Sequence, residues 1–121
     1  MAVAERSRQK SWTCERCKVT VRWMKGAETE PRLPAGWSDD RHGTFCLLCR
    51  RAHAADAALE NAPSDTNRQG RAKLRAAALI EFEILRDPDR GNGEIARACR
   101  SSIPAVAKAR RKLKIPEPVR N

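Results

Sequence analysis

Two short cysteine pairs, Cys14-Glu-Arg-Cys17 and Cys46-Leu-Leu-Cys49, constrain this chain more than any other feature. A two-residue gap lets one tight turn point both sulfurs of a pair at a single ion, and two such pairs complete a tetrahedral shell. Buried structural cysteines rarely recur as two pairs with the same gap inside 36 residues. One structural Zn2+ held by Cys14, Cys17, Cys46 and Cys49 is therefore expected, with no ligand position left for water or substrate. Four thiolates also suit an iron and sulfur cluster, although the knuckle and strand pattern around the pairs favours zinc. Cys99 stands apart and reads as a small buried apolar residue.

The metal matters because the chain has only 121 residues, and composition divides it in two. A domain much smaller than this struggles to bury enough apolar surface unaided, and a metal staple answers that shortage. All three Trp and four of the five Cys precede Asn61-Ala-Pro-Ser-Asp-Thr-Asn-Arg-Gln-Gly70, which reads as a linker. After it the chain is rich in Ala, Leu, Ile and Arg at helical spacing. The expected organisation is a zinc module over 12–60, a linker over 61–70, a helical module over 71–115, and flexible tails over 1–11 and 116–121. The fold class is thus a small α+β zinc-bound module followed by an all-α module.

Within the first module, Lys18–Trp23 alternates as a strand does, His42–Phe45 suits a second short strand, and Leu47–Glu60 has helix formers and no breaker until Pro63. Trp12, Trp23 and Trp37 are expected to supply core area rather than a stacking platform, since the chain has no Tyr and two Phe. In the second module, Ala72–Arg86 is expected as a helix with Leu74, Ala78, Phe82 and Leu85 inward, ending at Asp87-Pro88. Glu94–Cys99 follows as a short helix, Arg100-Ser101 as a turn, and Ser102 as the N-cap of a helix running to about Lys114, with Pro104 tolerated in its first turn.

The formal charge of +10 favours an anionic partner, and nucleic acid is the default. The excess is uneven: residues 95–121 carry eight basic side chains and one acidic. Neither a signal-peptide core nor a long apolar run occurs, so a cytoplasmic, nucleoid-associated protein with no membrane contact is expected. His42 reads as a solvated hairpin residue and His53 as a helix-surface residue. No catalytic constellation appears, so the chain reads as a binding protein rather than an enzyme.

The first module, over 12–60, resembles treble-clef and zinc-ribbon modules through Leu33-Pro34-Ala35-Gly36-Trp37 followed by Phe45-Cys46-Leu-Leu-Cys49. Asn92–Leu113 resembles the helix-turn-helix of bacterial transcription regulators: Glu94-Ile95-Ala96 matches the opening of its first helix, Ser102 the cap of its recognition helix, and Val106 with Leu113 the buried seam. Arg100 stands where that turn usually has Gly, and Ser101 where it has an apolar residue. The resemblance implies a bacterial, phage or plasmid transcription regulator reading double-stranded DNA. Docked that way, Ile103, Pro104, Lys108 and Arg111 face the groove, with Arg111 the base reader, while Arg97, Arg100, Ser101, Ser102, Arg110, Lys112 and Lys114 hold phosphates. The zinc module would then touch DNA, dock on RNA polymerase or another protein, or mediate a homodimer. Two rival readings are an RNA- or protein-binding adaptor and an HNH-type nuclease, the latter lacking its characteristic Asp-His start at Arg41-His42-Gly43.

Overall fold

The computed structural model describes residues 11–23 and 32–119. The chain divides into two compact units, residues 1–50 and 51–121. In the first, β1 (Ser11–Thr13) pairs antiparallel with β2 (Thr20–Arg22), and β3 (Ser38–Asp40) with β4 (Gly43–Phe45). The expected strand over Lys18–Trp23 is shorter, because Lys18 takes a left-handed conformation (φ 67°) that closes the turn after Cys17. There the Lys18 N–H donates to the Cys14 carbonyl and the Cys14 N–H to the Val19 carbonyl, both at 2.9 Å.

The two hairpins meet at Glu15. Its N–H donates to the Thr44 carbonyl at 2.9 Å, and its carboxylate accepts from the Thr44 N–H at 2.6 Å. This contact dictates Gly43, whose φ is 125° and whose missing Cβ would lie 2.5 Å from the Glu15 carboxylate. Among the described residues of this unit, Cys14, Cys46 and Cys49 form the buried apolar cluster, with Trp37 and Phe45 packed against them. Trp12 and Trp23 are half-buried.

α1 (Leu47–Glu60) begins at the second cysteine pair and stops before Pro63, as expected, and the division between the units falls inside it. The second unit continues with α2 (Arg68–Arg86), α3 (Asn92–Cys99) and α4 (Ile103–Leu113). α2 starts four residues earlier than expected, because the Asn67 side chain accepts from the Gly70 N–H at 2.8 Å and caps it. Gly70 belongs to the helix, where the Thr66 methyl group leaves no space for a Cβ.

The expected inner face of α2 is corrected. Ile80 and Ile84, one turn apart, are buried with Glu83 between them, whereas Leu85 is 60% exposed. These isoleucines join Ile95, Ala96, Val106 and Ala109 in one core, and Cys99, Leu113 and Ile115 pack on its edge. The three-helix arrangement is thus made of β-branched and small side chains that let α2, α3 and α4 approach one another.

The expected flexible tails fall partly outside the described residues. Within them, Ser11 pairs with Arg22, and the segment after α4 is held in place: the Ile115 and Pro116 carbonyls accept from Arg110, and the Glu117 carboxylate accepts from the Asn92 N–H at 2.7 Å. No helix among the described residues is long and apolar enough to cross a membrane.

Candidate functional site

The sulfurs of Cys14, Cys17, Cys46 and Cys49 lie within 4.8 Å of one another, close enough to hold one metal ion. Cys17 and Cys46 are 3.8 Å apart, about the sulfur–sulfur edge of a tetrahedron with metal–sulfur bonds near 2.3 Å. None of the four is in a disulfide. The two pairs reach this geometry by different means. Cys14 and Cys17 sit on the tight turn closed by Lys18. Cys46 accepts the first hydrogen bond of α1, from the Arg50 N–H, which puts Cys49 one turn along the same face. Cys17 is the only exposed member; the others are buried.

The electrostatics of the cluster call for a cation. Burial opposes ionisation of Cys14, but the backbone N–H groups of Cys17, Cys46 and Arg16 outweigh it and bring its thiol down to about 6. Burial and three neighbouring sulfurs push Cys49 up to about 12. Four sulfurs this close cannot all be anions in water alone, whereas a divalent ion replaces the protons. The donor set of four thiolates therefore fits a thiophilic metal. His42, whose backbone donates to Asp40, and His53 are exposed and lie outside the cluster.

The second candidate surface is built on the turn between α3 and α4. Arg100 takes the left-handed conformation (φ 52°, ψ 48°) in which Gly is usual, its N–H donating to Arg97 at 3.3 Å while Ser101 donates to Ala96 at 2.8 Å. Ser102 then caps α4 by accepting from the Ala105 N–H at 3.2 Å, and Pro104 falls in the first turn. With Val106 and Ala109 fixed in the core, Pro104, Lys108 and Arg111 stay exposed, as does Ile103 at 55%. Arg97, Arg100, Ser102, Lys112 and Lys114 are also exposed, and Ser101 is half-buried. Lys112 pairs with Glu81 at 3.1 Å.

Arg110 must be removed from the expected contact set. It is 3% exposed, and its guanidinium donates to the Asn92 side chain and to the carbonyls of Arg90 (2.7 Å), Pro116 (3.1 Å) and Ile115 (3.4 Å). With four of its five N–H donors engaged inside the fold and the group buried, this side chain is not placed to reach a phosphate. Sequence reasoning also missed the neighbouring ion cluster, in which the buried Glu83 carboxylate accepts from Arg86 at 2.9 Å and Arg90 at 2.8 Å. The signal was the basic and acidic alternation of Arg86-Asp-Pro-Asp-Arg90 one turn beyond Glu83.

No protein-family model matches this chain, and neither a curated protein nor a solved structure matches it.

Proposed function

We propose that this is a zinc-containing protein that binds double-stranded DNA, with α3, its three-residue turn and α4 acting as a helix-turn-helix of the kind found in bacterial transcription regulators. The observation that carries the reading is the division of α4: Val106 and Ala109 face the core, while Ile103, Pro104, Lys108 and Arg111 remain in water. An exposed helix face with cations beside small side chains suits a major groove, where guanidinium bridges the two acceptors of guanine. Arg97, Arg100 and Lys114 would supply phosphate contacts at either end. Zinc in the four-cysteine cluster is then structural, and the role is binding rather than catalysis.

The test is to select preferred duplexes from a random pool and compare Arg111→Ala with the unaltered protein at fixed salt. The variant is expected to lose about 1–3 kcal/mol of discrimination between preferred and scrambled duplexes. Equal weakening on every duplex, or tighter binding to structured RNA, would refute sequence reading. Incubation with magnesium and plasmid DNA is expected to leave the plasmid intact.

Arg100→Gly separates fold from function at one position. Removing a side chain from a left-handed residue is expected to stabilise the helical unit by about 1 kcal/mol, read as a higher unfolding midpoint. The same change deletes a cation and is expected to weaken duplex binding. A variant that is both more stable and equally tight would exclude Arg100 from the interface.

A further inference from the structure

The first half of α2 contributes nothing buried to the core. Of residues 68–77, only Gly70 and Leu74 are half-buried and the rest are exposed; the first buried residue is Ile80. This projecting segment carries Arg68, Arg71, Lys73 and Arg75, and no Asp or Glu occurs between Asp65 and Glu81. At about 100° per residue, Arg68, Arg71 and Arg75 fall within an arc of about 60° and are separated along the axis by about 4.5 and 6 Å. Among the described residues, none of the three has a carboxylate partner.

Such a stripe works against the helix that bears it. Like charges three and four residues apart repel, and cations in the first turn oppose the helix dipole where α2 has no acidic residue to offset them. The Asn67 cap offsets part of these penalties, and tertiary packing adds little because this segment has little of it. An anion along the stripe would reverse both.

Resting on the DNA-binding reading, we infer that Arg68, Arg71 and Arg75 form a second contact that tracks a nucleic-acid phosphate backbone, independent of base sequence. The stepwise spacing suits a repeating line of phosphates, and the exposed Ala72 and Ala76 let a backbone approach closely. Neither alternative partner fits as well. A membrane-surface helix needs a broad face of Leu, Phe or Trp, and a protein interface needs aromatic anchors; residues 68–77 offer one half-buried Leu and no aromatic side chain.

The test uses the full metal-loaded chain, a mixed-sequence DNA duplex and a salt series. For the triple variant Arg68→Gln, Arg71→Gln, Arg75→Gln, the slope of log affinity against log salt is expected to fall by about 2.7, with affinity dropping roughly tenfold or more at moderate salt. Gln is a good helix former, so the unfolding midpoint is expected to hold or rise. The matching triple Lys variant should keep the slope. A wild-type chain that ignores duplexes at low salt overturns the DNA-binding reading itself. A wild-type chain that binds, with an unchanged slope in the triple Gln variant, overturns the stripe alone. Loss of binding to phosphatidylserine vesicles with duplex binding intact also overturns it.

Discussion

Removing the metal is expected to unfold residues 11–50 while α2, α3 and α4 remain folded. Among the described residues of the first unit the buried apolar side chains are three of the cysteines, with Trp37 and Phe45 packed around them. Without an ion, that centre is a cluster of thiols whose ionisation burial opposes. Structural zinc contributes on the order of 10–16 kcal/mol in small metal-folded domains, so little else holds such a unit together. The second unit has its own core of Ile80, Ile84, Ile95, Ala96, Val106 and Ala109. Because all three Trp belong to the first unit, chelation should shift Trp emission while most of the far-ultraviolet helical signal persists. Cys46→Ser should mimic the chelator. Simultaneous loss of both signals would disprove independent units. Acid should act in the same direction, since protons compete with the ion for the sulfurs, and loading should release protons.

Replacing Glu83 by Ala is expected to destabilise the helical unit by about 3–5 kcal/mol, measured by denaturant titration. The residue is 2% exposed, and its carboxylate answers both Arg86 and Arg90. Deleting it leaves two guanidinium groups facing each other without their anion, in a domain whose whole stability is about 5–15 kcal/mol. Glu83→Gln keeps the shape and part of the hydrogen bonding and should be milder. A loss under 1 kcal/mol for the Ala variant would mean that water substitutes for the carboxylate. The same pair sets a pH dependence. Burial raises the Glu83 carboxyl, but hydrogen bonds from Arg86 and then Arg90 prevail and hold it below its ordinary 4.5. A depressed folded-state value contributes stability that is complete above the unfolded value and lost as pH falls through the folded one. The unit should therefore weaken in the acid range below about pH 4.5, and Glu83→Gln should flatten that dependence.

The sequence made the cysteine cluster legible because spacing alone encodes a knuckle. It made α4 legible because Ser102, Pro104 and the spacing of Val106 and Leu113 all agree on one helix. It misled where a local pattern had two solutions. α2 offers both Leu74, Ala78, Phe82, Leu85 and Ile80, Ile84 as apolar lines, and only packing against α3 and α4 chooses the isoleucines. Gly70 resembled a linker residue until Asn67 was seen to cap the helix beneath it. Arg110 resembled a solvated cation because its acceptors come from Arg90, Ile115 and Pro116, segments brought together by the fold. A buried Arg is invisible to periodicity when its partners are main-chain carbonyls.

Cys99, packed at the edge of the helical core with its sulfur 3.8 Å from the Leu79 carbonyl, gives the two units separate chemical clocks. Partial burial, with repulsion from Glu83, raises its thiol above the ordinary value, so alkylation is slow while the helices are packed and quickens as they open. With an ion in the cluster, the other four thiols would wait for it to leave. Counting labels over time should then resolve one slow modification that quickens when the helical unit loosens and a group of four that follows metal release, each reporting on a different half of the same molecule.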